Sequence, residues 1–132
     1  MKNFTLFFLL VSLTISSFTL RSVTSEMEEI IAALRTGNAT QLSKYFDSRV
    51  DLSLPGKTDN YSHAQAEMIL RDFFSINPVR SFQVKHTGEN KDGSRYCTGT
   101  LQTKNGNYRT ILFIKQKGDK PLLLQLSFQL IE

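Results

Sequence analysis

The end of the chain shows the clearest alternation of apolar and polar side chains. Large apolar residues occupy every second position from 122 to 130, namely Leu122, Leu124, Leu126, Phe128 and Leu130. A period of two is typical of a β-strand with one buried face, because successive side chains point to opposite sides of a strand. We therefore predict a strand whose five apolar side chains face a hydrophobic core.

Three segments of the first half carry the signals of amphipathic helices. Each begins with Ser or Asn and has Glu or Gln three positions later, at 25–28, 38–41 and 62–65. This spacing lets the two side chains cap the first turn of a helix. Apolar residues then recur at helical spacing, with Gly37 ending the first helix and Asn77-Pro78 ending the third. We expect all three helices to cover the same sheet face.

The helices are interleaved with one short strand and followed by long ones. Val50–Leu54 alternates and ends at Pro55-Gly56, which predicts a short strand and a turn. The polar stretch Lys57–Tyr61 predicts a loop, with room for a brief returning strand. Short turns, including Asn105-Gly106, separate the later strands, which must then be antiparallel. The four long strands are predicted near residues 82–86, 95–103, 108–116 and 122–131.

The third long strand is apolar on both of its faces. Ile111 and Phe113 lie on the face that should be outside if helices cover the other. An apolar outer face is more stable when it is buried, so we expect a homodimer through the sheet, with Arg109 and Lys115 at the edge of the dimer face. The alternative is a modest exposed patch.

The first 25 residues have the pattern of a secretory signal peptide. Lys2 provides a positive start, Phe4–Ile15 is largely apolar, and small or polar residues follow up to Ser25. The apolar stretch is short for a membrane span. We expect cleavage near Ser25, with no membrane contact afterwards and a periplasmic or cell-envelope location in a bacterium.

Composition is consistent with one globular domain at 26–132. The chain has 132 residues, with 40% hydrophobic and 21% charged. Removing the leader leaves 14 basic against 12 acidic residues, which gives no basic stripe for nucleic acid. The single cysteine, Cys97, is predicted to be a buried structural thiol. With two distant histidines and one cysteine, no metal-ligand spacing is present, and no cofactor motif is found.

The order of elements and a few residues resemble a known superfamily. The stretches Glu28–Leu34, Asn38-Ala39 and Tyr45–Asp47 look like the opening of the nuclear transport factor 2-like (NTF2-like) fold. Together with the leader they resemble an uncharacterised exported bacterial family, domain-of-unknown-function family 4783. The resemblance implies an α+β, cystatin-like cone with a cavity at its wide end. Three N-terminal helices would pack on a curved antiparallel sheet of four long strands plus a short one.

Two residues are candidates for chemistry in that cavity. His86 alternates with Phe82 and Val84 and is expected to share their face, where an imidazole could act as a general base. Asp47 is the other candidate, because the resemblance implies a cavity-facing Asp as the base and a Tyr as oxyanion donor, as in isomerases of the superfamily. Asp47 is weaker because it resembles a residue in the turn that ends a helix. The resemblance leaves the reaction open, because fold does not choose function.

Three functions stay open for this cavity. The first is non-catalytic binding of a small apolar ligand or a protein partner, and the second is a cofactor-free isomerase or lyase. The third is an interaction module whose cavity is filled by its own Phe46, Phe73 and Phe82. The predicted pocket lining consists of Tyr45, Phe46, Phe73, Phe82, Val84, Tyr96, Tyr108, Leu112, Leu126 and Phe128. An open cavity favours the enzyme, and a filled one favours the interaction module.

Overall fold

The computed structural model describes residues 25–132, so the predicted leader and its cleavage lie outside the described part of the chain. Three helices and six strands follow in the order α1, α2, β1, β2, α3, β3, β4, β5, β6. The helices are α1 (Ser25–Thr36), α2 (Ala39–Ser43) and α3 (His63–Ile76). The strands are β1 (Phe46–Leu54), β2 (Lys57–Ser62), β3 (Val79–Glu89), β4 (Arg95–Thr103), β5 (Gly106–Lys117) and β6 (Lys120–Leu130).

The α+β class is confirmed, but the predicted sheet is corrected in strand number and direction. The sheet has six strands in the order β2-β1-β6-β5-β4-β3. The four long C-terminal strands are antiparallel as predicted, whereas β1 runs parallel to β6. The last strand therefore lies inside the sheet, between the first hairpin and the other long strands.

The stretch predicted as a loop is the edge strand β2. Leu54 pairs with Lys57, so Pro55 and Gly56 alone form the turn, and Gly56 has a φ of 80°. Proline followed by a residue with positive φ makes a tight turn that returns the chain beside itself. The first four residues of β2 are polar and exposed, as suits an edge strand. Because β2 is polar, it lacks the apolar alternation from which the other strands were predicted.

The second helix is capped as predicted but ends sooner. The Asn38 side chain accepts a hydrogen bond of 3.0 Å from the Gln41 N–H. The helix stops at Ser43, and the Leu123 N–H of β6 donates to the Tyr45 carbonyl at 2.6 Å. Because the sheet takes this carbonyl, Tyr45 and Phe46 are not helical as we expected, and Phe46 opens β1.

The ends of α3 match the local signals. Ser62 and Gln65 form a capping box in which each side chain bonds to the backbone of the other residue. At the other end, the Asn77 N–H and side-chain amide both donate to the Phe73 carbonyl, at 2.8 and 3.0 Å. These bonds satisfy backbone groups that a helix leaves without partners.

A β-bulge corrects the predicted facing of β6. Ile114 pairs with Leu123 while Phe113 pairs with Gln125, so Leu124 is the extra residue. A bulge reverses which side chains face the core. The inward side chains are Leu123, Leu126 and Phe128, whereas Leu122 and Leu124 are half-buried and Leu130 is 49% exposed.

The core lies between the helices and the inner face of the sheet. Gly37 bends the chain from α1 into α2 with a φ of 64°, and a Cβ there would lie 2.9 Å from Val79 Cγ2. Only glycine fits both constraints easily. The largest fully buried side chains are Phe128, Ile30, Leu34, Leu42, Leu52, Leu70, Leu101, Leu112, Ile114, Leu123, Leu126 and Val50.

Candidate functional site

The interior, where the resemblance implies a cavity, contains a packed aromatic cluster. The Phe73 ring stacks on Phe128 at 5.1 Å and meets Tyr108 edge-on at 5.2 Å. Their exposed fractions are 8%, 2% and 6%. Such ring pairs add to the energy of burial. These predicted lining residues therefore pack against one another in the interior, and Phe73 and Tyr108 also border a surface pocket at the end of α3.

Most of the other predicted lining residues join the same core. Phe46, Phe82, Leu112 and Leu126 expose 4% of their surface or less. Val84 is half-buried at its margin. The inner face of the sheet thus stabilises the fold through continuous side-chain packing.

His86 does not face the interior, and our expectation for it was wrong. Val84 pairs with Gly99, but His86 pairs with Thr98, because a bulge at Lys85 shifts the register. A one-residue slip turns a side chain to the opposite face. His86 is exposed on the face away from the helices, which we call the outer face.

Tyr96 lies beside His86 on the outer face, which also corrects its predicted place in the pocket. His86 Nε2 and Tyr96 Oη are 3.1 Å apart, within hydrogen-bonding distance. A Cβ added at Gly88 would lie 2.3 Å from the Tyr96 ring, so this ring covers the glycine. The pair is a surface feature of β3 and β4.

Asp47 is engaged in an ion pair at the surface. Lys117 Nζ donates to Asp47 Oδ2 at 2.6 Å, and the Ser48 N–H donates to Oδ1 at 2.7 Å. The Lys117 hydrogen bond is the main reason why the pKa of Asp47 is below its ordinary value. A general base is most effective with a pKa near the working pH, so this environment opposes that role.

Tyr45 is likewise occupied. Its hydroxyl donates to the carboxylate of Glu29 on α1. Burial first, and then this hydrogen bond and the charges of Glu29 and Glu26, raise the pKa of Tyr45 to about 12. The contact ties α1 to the start of β1, and the donor is not directed at the interior.

The predicted dimer-face residues do share the outer face. In register across the sheet, Tyr96 pairs with Phe113, and Thr98 pairs with Ile111. Ile111 and Phe113 are half-buried, while Arg109 and Lys115 are exposed. Gln125, Ser127 and Gln129 of β6 extend this face, so its apolar centre has a polar surround.

A pocket at the C-terminal end of α3 was predicted only in part, since Phe73 and Tyr108 are the only predicted lining residues that it contains. It has a volume of about 220 Å³ and opens to the surface between α3 and the β1–β2 turn. The lining residues of this α3 pocket are Leu54, Pro55, Lys57, Ile69, Asp72, Phe73, Ile76, Asn77 and Tyr108. Ile69, Phe73 and Ile76 fall on one helix face, so the apolar stripe continues past the part that the sheet covers.

The floor of the α3 pocket is fixed by hydrogen bonds. Tyr108 Oη donates to Asn77 Oδ1 at 3.2 Å, while the Asn77 amide holds the Phe73 carbonyl. Asn105 Nδ2 donates to the Ile76 carbonyl at 2.6 Å and joins the helix end to the β4–β5 turn. The polar groups of the floor satisfy one another, which leaves an apolar opening.

Exposed apolar side chains concentrate around this opening. Ile76, Leu130 and Ile131 expose 68%, 49% and 46% of their surface. Leu130 pairs with Tyr108 across the sheet, and the Ile131 N–H donates to the Asn107 carbonyl of β5 at 2.9 Å. We call this end of the molecule, comprising Pro55, Ile76, Leu130 and Ile131, the α3 pole. An exposed apolar cluster of this kind is typical of an interaction site.

Three further features concern the described residues 25–132. Cys97 is fully buried, in agreement with the predicted structural thiol, and burial raises its pKa. No cluster of three or more His, Cys, Asp or Glu side chains within this range could hold a metal ion. None of the helices in this range is both long enough and apolar enough to cross a membrane.

The family model named Domain of unknown function (DUF4783) matches residues 27–129 of the chain. The chain belongs to the DUF4783 family. A DUF4783 protein from Bacteroides uniformis is 33% identical with a TM-score of 0.75, covering 80% of this chain and 96% of that one. A Bacteroides ovatus member is also 33% identical, with a TM-score of 0.74 and coverages of 79% and 94%. No curated protein matches the chain.

More distant structures show the fold of this DUF4783 protein to be NTF2-like, in agreement with the predicted resemblance. One is a candidate ketosteroid isomerase from Kribbella flavida, with 11% identity and a TM-score of 0.57. It covers 82% of this chain and 76% of that one. At this identity the likeness concerns the fold alone and says nothing about activity.

Proposed function

We propose that this DUF4783 protein is an exported, non-catalytic binding domain that recognises a protein surface. The observation that carries the proposal is the aromatic interior, in which Phe73, Tyr108 and Phe128 occupy the place of a ligand cavity. A core packed in this way stabilises the domain and leaves binding to its surface.

The candidate catalytic groups support a non-catalytic role. His86 is exposed on the outer face, and the Asp47 carboxylate forms an ion pair with Lys117. The Tyr45 hydroxyl donates a hydrogen bond to Glu29. An isomerase of this fold needs a base and an oxyanion donor directed at one substrate position, whereas Tyr45 and Asp47 are each engaged by another side chain and His86 lies on a different strand, on the outer face.

The size of the α3 pocket argues against a small apolar ligand at this position. Its volume of about 220 Å³ is below the roughly 300–1,000 Å³ that is usual for small-molecule sites. Ile76, Leu130 and Ile131 extend the apolar surface beyond the pocket. A protein partner that inserts one side chain into the α3 pocket and covers these exposed residues would bury the pocket and the surrounding apolar surface together.

Native mass spectrometry of protein recovered from an exporting host tests this function. The proposal predicts the mass of the polypeptide, alone or multiplied by a subunit number, with no retained small molecule. A stoichiometric apolar compound that stays bound to the native protein would overturn it.

Export is part of the same proposal. Its support is the leader pattern of residues 1–25, which combines a positive start, an apolar stretch and small residues near Ser25. N-terminal sequencing of protein from the periplasm or cell envelope should give a mature chain that begins near Glu26. An intact Met1 in exported protein would contradict cleavage.

A homodimer through the outer face is the second candidate interaction. The half-buried Ile111 and Phe113, surrounded by polar side chains, favour it. Phe113→Thr retains a residue suited to strands, so it should leave the fold intact and weaken this dimer. Sedimentation measurements on this variant decide whether the outer face associates.

A further inference from the structure

We propose that the α3 pole binds a second copy of this chain, giving a two-fold dimer in which the poles face each other. This inference rests on the proposed function and names the partner of that surface. The projecting apolar end of β6 and the α3 pocket lie at the same pole. In a two-fold dimer each copy can therefore offer the end of β6 to the pocket of the other.

The apolar surface of the pole is suited to burial against itself. Ile76 lines the opening, and Leu130 and Ile131 stand at the end of β6 beside Tyr108 and Asn107 of β5. All three are among the most exposed large apolar side chains of the described residues. The β4–β5 turn joins α3 to the start of β5 through Asn105, which donates to the Ile76 carbonyl. A symmetric contact places this surface against an identical one, so every apolar group meets an apolar group.

The charges on the rim are self-complementary. Lys57 and Asp72 both line the α3 pocket and are exposed, and neither forms an ion pair with any described residue. A two-fold axis through the pole brings Lys57 of one copy towards Asp72 of the other, twice in each dimer. Complementary rim charges fix the orientation of a contact and exclude partners with a different pattern.

The small number of apolar groups limits the strength of the dimer. A contact formed by one pocket and a few projecting side chains is at the low end of the size range for specific interfaces. We therefore expect reversible association that depends on concentration. The outer face stays free in this arrangement.

Sedimentation velocity over a wide concentration range tests the inference with charge-reversal variants. Lys57→Asp and Asp72→Lys each place like charges in contact and should weaken the dimer by about tenfold or more. The double variant restores opposite charges and should recover most of the affinity. Met68→Asp is the matched control, because Met68 is a 60% exposed residue of the same helix that does not line the pocket.

The variants also separate this inference from its alternatives. Loss of the dimer in Phe113→Thr, with no change in Lys57→Asp, overturns it in favour of the outer face. A monomer at every concentration overturns it too, while the proposed function stands if native mass spectrometry finds no retained compound. Unchanged association in both charge variants likewise contradicts it. Circular dichroism and urea midpoints establish that each variant is folded.

Discussion

Two side chains of α3, three positions apart, illustrate the difference between the interior and the α3 pole. Phe73 is 8% exposed and is in contact with three other rings, whereas Ile76 is 68% exposed. The same apolar stripe of one helix supplies both. Where the sheet covers the stripe it stabilises the fold, and where the sheet ends the stripe is exposed to solvent.

The largest expected effect comes from removing an interior ring. Phe128→Ala removes a 2% exposed side chain that contacts Phe73 and Phe74, and should lower the free energy of unfolding by about 3–5 kcal/mol. Ile76→Ala at the pole should change it by less than about 0.5 kcal/mol. Urea unfolding measures both, and similar losses would contradict the distinction between interior and pole.

Alanine substitutions at two glycines, Gly99 and Gly88, should give the next largest effect on stability. A Cβ at Gly99 would lie 2.5 Å from the Gln83 carbonyl oxygen and 2.6 Å from the buried Phe82 ring, so Gly99→Ala should cost about 1–3 kcal/mol. At Gly88 the obstacle is the half-exposed Tyr96 ring, which can rotate away, so Gly88→Ala should cost less. Denaturation midpoints measure the difference, and a greater cost at Gly88 would show that the outer face is packed as tightly as the interior.

Tyr45, at the margin of the core, should show its environment in alkaline titration. Its pKa of about 12 is above the ordinary value near 10, so the hydroxyl stabilises the fold fully below about pH 10. This stability is lost as the pH rises through 12. Tyr45→Phe should remove the increase in tyrosinate absorbance that the native protein shows near pH 12.

Glu29→Gln is the matched control for that titration. It removes the carboxylate charge but leaves the burial of Tyr45, which is the larger cause of the shift. The pKa should fall and still exceed the ordinary value. An unchanged titration would show that Glu29 has no influence on the hydroxyl.

The smallest effect is expected at the surface ion pair. The folded-state pKa of Asp47 is below its unfolded value, so the pair stabilises above about pH 4 and loses this contribution as the pH falls through the folded pKa. The contribution of a partly exposed pair is below about 1 kcal/mol. Asp47→Asn should flatten the acid limb of the stability profile more than Lys117→Gln, because the Ser48 N–H still stabilises the carboxylate in the second variant. Equal effects would mean that Lys117 alone lowers the pKa of Asp47.

Local hydrogen bonding made the helix starts predictable, whereas the pairing register of the strands made some side-chain directions unpredictable. The caps at Asn38 and Ser62 need only neighbouring residues, so their sequence spacing is sufficient. A bulge depends on which residues a partner strand offers. The sequence around His86 and Leu124 therefore does not indicate the bulges, which interrupt the alternation of inward and outward side chains at Lys85 and at Leu124.

The candidate site was only partly predictable for a related reason. The residues that resemblance assigned to a pocket are mostly the residues found on the inner face, including Leu112 and Phe128. Whether they enclose a space depends on the summed side-chain volumes in three dimensions. The α3 pocket had one usable signal, the apolar Ile76 beyond the covered part of its helix, in line with Ile69 and Phe73.

Amide NMR during titration with indole tests the central claim most directly, with the protein kept below the dimer dissociation constant. A filled interior and an open pole predict shifts confined to residues of the α3 pocket such as Asp72 and Ile76. Leu101 and Leu112, at the centre of the inner face, should not respond. Saturable shifts at Leu101 and Leu112 would contradict the account.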